Sequence, residues 1–143
     1  MSYQRLMIMV IALLVAWTLP LPAAPAKGKP VKSLKQWSGS VDDLSLLEGT
    51  PEVILAAQEL EKLWQAWKVP GPAPKVDFSE NLVLVLTTRG SILRFGATLD
   101  DQGNLQVGGL ATRDLRPGFR YVIAMVSRNG VKTVNGKELT EAE

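Results

Sequence analysis

The chain has 143 residues, 16 of them basic and 14 acidic, with no cysteine and no histidine. That length suits one domain and hardly two. Without Cys, thiol catalysis, zinc–thiolate sites and disulfides are excluded, and without His the usual general base and the commonest transition-metal ligand are missing.

The first predicted element is a targeting segment. Arg5 precedes an apolar run from Leu6 to Leu19, Pro20 and Pro22 break any helix, and Ala24-Pro25-Ala26 places small residues at the spacing a signal peptidase reads. This is the three-part layout of a secretory signal peptide over residues 1–26, with the mature chain beginning near Lys27 and a periplasmic or secreted destination. The alternative is an uncleaved membrane anchor, for which the run falls short of the roughly 20 apolar residues a span takes. No Cys follows, which excludes a lipid anchor on an N-terminal Cys. Cleavage would remove Arg5 and no acid, leaving a nearly neutral chain. A nucleic-acid binder carries a basic surplus on the domain itself, so neither nucleic acid nor, after cleavage, membrane is an expected partner.

Residues 27–36, opening "KGKPVKSLK", read as a basic, solvated linker. A single domain is expected over 37–143. "WSGSV", from Trp37, reads as an edge strand, and "DDLSLLEGTP" as a loop closed by Thr50-Pro51. In "PEVILAAQELEKLWQAWKV", Leu60, Leu63, Trp64 and Trp67 recur at the i, i+3, i+4, i+7 spacing of one helical face. Val53 and Ala57 extend that stripe backward, with Thr50 as N-cap and Pro51 at N1. Alternatively, "EVIL" is a short buried strand over 52–55 ahead of a helix over 57–67; periodicity does not separate the two. "PGPAP" then ends the helix.

Four strands come next: "NLVLVLTT", "ILRFGATL", "LQVGGLATRDL" and "YVIAMVSR", separated by Gly90-Ser91, "DDQGN" and "RPGF". The Gly108-Gly109 pair predicts a bulge. Asn129-Gly130 predicts a type I′ hairpin returning the chain from "YVIAMVSR" into "VKTV", a short last strand that Asn135-Gly136 ends. The fold class is α+β: a mainly antiparallel meander with one amphipathic helix packed on it.

Asp42-Asp43 and Asp100-Asp101 are the candidate carboxylate pairs for acid/base hydrolysis. Both fall in predicted loops, and turn chemistry is the simpler reading. Asp100 to Asn104 lacks the alternating oxygens and distal Glu of a calcium loop. No Ser has a His to activate it, and neither a nucleophile elbow nor a phosphate-cradling Gly loop is present. Trp64 and Trp67 read as core packing, the alternative being a ligand platform. No cofactor or metal is expected. Arg113, Arg116 and Arg120 flank the "RPGF" turn, and with Arg89 and Phe119 they form the candidate protein-binding rim, able to hold carboxylates by bidentate pairs.

"LEKLWQAWKVPGPAPKVDFSENLVLVL" resembles the C-terminal domain of the bacterial PrcB-like family of protease-complex subunits. The likeness runs from about Glu52 to Tyr121 and is carried by Leu63, Trp64, Val76, Asp77, Phe78 and Ser79, with "PGFRYVIAMV" similar to the family's final Pro-Tyr strand. The resemblance implies a strand ahead of the helix, which divides "EVIL" from "AAQELEKLW". Two features depart from the family: Arg89-Gly90-Ser91-Ile92 stands where a Gly-Gly-Tyr turn is usual, and "NGVKTVNGKEL" extends beyond the matching region. The matching residues are packing and turn residues, none catalytic. The expectation is an exported, non-catalytic domain that binds another protein, as an accessory or stabilising subunit of an envelope protease. The alternatives are a protease inhibitor acting through an exposed hairpin and a carboxylate-based hydrolase.

Overall fold

The computed structural model describes residues 28–140; the signal peptide expected over residues 1–26 lies outside them. The observed elements are β1 (Lys29–Pro30), β2 (Lys35–Val41), a 3-10 turn (Leu44–Leu47), β3 (Val53–Ile54), α1 (Ala57–Ala66), β4 (Asn81–Thr88), β5 (Leu93–Leu99), β6 (Asn104–Ala111), β7 (Phe119–Ser127), β8 (Thr133–Val134) and β9 (Lys137–Glu138). All strand pairings but one, β6 with β8, are antiparallel. The α+β class with a mainly antiparallel arrangement and one helix is what the sequence predicts. The predicted meander is not formed: β4 pairs with β7 and not with its successor β5, and the strands divide into two sheets, ordered β2-β7-β4-β3 and β1-β5-β6-β8-β9.

The described residues form three layers: helix, four-stranded sheet and five-stranded sheet. Alternation along the central strands builds them. Val83 and Val85 of β4, with Phe119, Tyr121 and Ile123 of β7, share one core cluster with Leu60, Leu63, Trp64 and Trp67 of the helix. Leu82, Leu84 and Val126 point the other way and share a second cluster with Ala97, Leu105 and Val134 of the five-stranded sheet. The continuous "LVLVL" run has its reason here, because β4 is covered on both faces.

Strand β3 and a helix beginning at Ala57 confirm the division of "EVIL" from the helical stretch. Thr50 caps nothing in α1; its hydroxyl donates instead to the Leu46 carbonyl at 3.2 Å. The helix ends in a Schellman motif: Lys68 N–H bonds the Gln65 carbonyl, Val69 N–H bonds the Trp64 carbonyl, and Lys68 adopts φ 50°. Glycine usually fills that left-handed position. Trp64 and Trp67 are both 4% exposed, so they are core residues. Trp64 Nε1–H donates to the Gly71 carbonyl at 2.9 Å and meets Trp37 edge-on, while Trp67 meets Phe119 edge-on.

Three local expectations are corrected. Of the segment expected as a solvated tether, residues 28–36 contribute β1, paired with β5, and the start of β2, while Lys29, Lys32, Leu34 and Lys35 stay exposed. Gly108-Gly109 forms no bulge, since β5 and β6 pair without interruption from Leu93↔Ala111 to Leu99↔Leu105. Finally, the type I′ hairpin is at Asn135-Gly136, where both φ angles are positive, between β8 and β9. At Asn129-Gly130 only Gly130 is positive, and Val131 N–H closes the turn on the Arg128 carbonyl, the pattern of a type II turn. The chain cannot return beside β7 because β2 and β4 already occupy both its edges. It crosses instead to the second sheet, where β8 pairs in parallel with the start of β6.

Candidate functional site

The end of β4, the start of β5, the end of β6 and the start of β7 meet at one end of the molecule, and the predicted rim lies there. A backbone bond from Arg116 N–H to the Arg89 carbonyl ties the 112–118 loop to the β4–β5 turn. Thr112 Oγ1 accepts from the Ser91 and Ile92 amides, and Asp114 accepts from the Ser91 amide at 3.0 Å and from its hydroxyl. Arg116 Nε pairs with Asp114 at 3.1 Å. The Thr112 hydroxyl, then the Ser91 amide and hydroxyl, hold the Asp114 carboxyl far below the ordinary range. This node fixes the loop, so Asp114 is engaged from within.

The structure therefore brings Arg89, Arg113, Arg116 and Arg120 to one end, but Arg120 is half-buried and donates to the Pro117 carbonyl. Phe119 is a correction. It is 0% exposed, because its parity on β7 points it beneath the helix, against Trp67. It cannot contact a partner.

Sequence reasoning missed two further parts of this end. Of the five large apolar residues that stand exposed among the described residues, Ile92, Leu110 and Leu115 are all here, Leu110 at 77%. Arg94, cross-strand partner of Leu110, lies with it on the outer face of the five-stranded sheet. A shallow groove of about 950 Å³ crosses that face from Arg94 and Leu110 to Asn104 and Asn135, floored by the Gly96–Gly108 pair. A Cβ at Gly108 would meet nothing within 4 Å, so this floor is open to solvent. One signal was available: "LQVGGLA" has no charged residue and no Pro, the devices with which proteins blunt a sheet edge.

That edge is the second part. β8 covers only Asn104 and Leu105 of β6, and Asn135 then adds a side-chain cap, its Oδ1 accepting from Val107 N–H at 2.8 Å. The Asn104 carbonyl and Thr112 amide bond toward β5, so alternation aims residues 105, 107, 109 and 111 the opposite way. Among the described residues, no strand pairs with the edge of β6 beyond Leu105. The Val107 carbonyl, both polar groups of Gly109 and the Ala111 amide thus face outward along an exposed edge. Beneath it lies a cleft of about 240 Å³ between the sheets, lined by Val85, Leu86, Thr87, Val107, Val134, Asn135 and Glu52.

The carboxylate pairs are turn builders. Asp43 accepts from the Ser45 amide and hydroxyl at the start of the 3-10 turn, and Asp100 accepts from the Gln102 and Asn104 amides at the far end of β5. The two pairs lie in separate turns, one after β2 in the four-stranded sheet and the other after β5 in the five-stranded sheet. Among the described residues, no group of three or more His, Cys, Asp or Glu is placed to hold a metal, and no helix is long and apolar enough to cross a membrane. Set against family models, curated proteins and solved structures, the chain finds no match.

Proposed function

We propose that this is an exported, non-catalytic protein-binding domain that captures an extended segment of a partner as an added strand on β6. The observation that carries the reading is the uncovered edge of β6 from Val107 to Ala111. An exposed row of strand amides and carbonyls is a template for pairing, and strand addition is an established mode of peptide recognition. The arginines around it suit a protein interface, where Arg is enriched, and the exposed Ile92, Leu110 and Leu115 add apolar surface for a partner to cover. The resemblance to protease-complex subunits favours an envelope protease as the partner, with the domain in an accessory or stabilising role.

The experiment is capture from envelope extract by the full chain produced in its host, with the wild type compared against Ala111→Pro. Proline removes an outward N–H that β5 does not use, and edge strands tolerate it there. The wild type should retain a protease or protease-associated protein that Ala111→Pro loses. Equal capture by both proteins refutes the β6 edge as the site. Adding the chain to the recovered protease separates support from inhibition, the outcome expected of an inhibitory hairpin.

A further inference from the structure

The same edge also states which segment it takes. Resting on the strand-addition reading, we infer that the β6 edge selects an extended peptide in which acidic and apolar residues alternate. The acidic side chains lie over the outer face, and the apolar one enters the cleft between the sheets.

The argument is one of parity. An added strand continues the pleat of β6, so its residue opposite Gly109 points inward, and those opposite Gly108 and Leu110 point outward. The inward position is roomy. Gly109 has no side chain, Ala111 carries a single methyl, and the adjoining cleft presents Leu86, Val107 and Val134 beside the polar Thr87 and Asn135. A branched apolar side chain of the size of Val fits these walls. Glu52, on the cleft's border and within 3.8 Å of Lys137 Nζ, disfavours an acid in that position.

The outward positions meet the opposite chemistry. Arg94 and Arg113 make no side-chain hydrogen bond or ion pair with any described residue. Arg94 stands one strand in from the edge, on the same face as Gly108. The bare glycine floor leaves its long side chain free to reach across β6 to the added strand. The acids at this end do not cancel the charge. Asp114 is engaged by Ser91, Thr112 and Arg116. Asp42 and Asp43 come after β2, which is separated from β4 by β7, and Asp43 is occupied by Ser45. The uncovered edge lies on the side of β4, since Leu86 and Thr87 line its cleft. An acidic segment is therefore the complementary occupant, and the pairing raises specificity more than raw affinity.

The test is selection of displayed random heptapeptides on the full-length protein purified from its host, with Ala111→Pro and Arg94→Glu screened in parallel. Peptides that bind the wild type and are lost on Ala111→Pro should carry Asp or Glu next to a Val-sized residue. For a selected peptide, replacing the acid by Lys should weaken binding about five- to tenfold, with the loss shrinking at high salt. On Arg94→Glu the preference should invert toward Lys or Arg. If Ala111-dependent peptides show no charge preference, or keep it on Arg94→Glu, this inference fails while strand addition stands. If no selected peptide depends on Ala111, strand addition itself fails.

Discussion

Gly108 and Gly109 are neighbours on one strand, and the structure gives them opposite tolerances to the same substitution. A Cβ at Gly108 meets no atom within 4 Å, whereas one at Gly109 falls 2.5 Å from the Arg94 carbonyl oxygen and 3.2 Å from Leu93 Cδ1. The carbonyl is backbone engaged in the β5–β6 ladder, so no rotamer change relieves the clash and the strands must shift. Forcing a methyl into such a contact costs about 1–3 kcal/mol. Replacing Gly by Ala also narrows the unfolded ensemble, which stabilises by about 0.4–1 kcal/mol where the backbone angles are compatible. That gain is common to both positions and cancels in their comparison. Gly108→Ala is thus expected to melt at or slightly above wild type, and Gly109→Ala about 1–3 kcal/mol below Gly108→Ala. At roughly 4 °C per kcal/mol for a domain of this size, the two melting temperatures should differ by about 4–12 °C. Thermal and urea melts of the two variants measure it. Equal melting, or Gly108→Ala as the weaker protein, refutes the β5–β6 register and with it the direction assigned to the β6 edge.

Three further outcomes are expected. Trp64→Ala should lose about 3–5 kcal/mol in denaturant melts, since it empties a site 4% exposed and abolishes the bond to Gly71; a melt like that of wild type would remove Trp64 from the core. Lys68→Gly should raise stability by roughly 0.5–1 kcal/mol, because glycine holds the φ 50° conformation without the Cβ penalty; a loss of stability would contradict the Schellman ending. The Asp114 carboxyl is held below its ordinary value by the Thr112 hydroxyl and the Ser91 amide and hydroxyl, so its contribution is fully present above the unfolded carboxylate pKa and is lost only as pH falls through the lower folded one. The Ser91 amide resonance should therefore stay in place as pH is lowered to about 4, and a titration midpoint at or above that value would overturn the Asp114 contact.

Local chemistry alone made several elements legible. The helix is dictated by Leu60, Leu63, Trp64 and Trp67, whose spacing has one amphipathic solution, and the doubly covered strand by the unbroken "LVLVL" run. Asp43 and Asp100 act within four residues of themselves, so their turn roles could be read from composition. What the sequence left open depends on which strands are neighbours, and neighbours are chosen by long-range pairing. Phe119 looked available beside three arginines until its parity on β7 and the cover of α1 buried it. Asn129-Gly130 and Asn135-Gly136 carry the same dipeptide, yet only the second becomes a type I′ hairpin, because β2 and β4 had filled both edges of β7. The uncovered edge of β6 is likewise a property of what stops short beside it. β8 pairs with two residues, Asn135 turns the chain away, and Gly109 and Ala111 are left facing outward by a geometry that no local window of "LQVGGLA" contains.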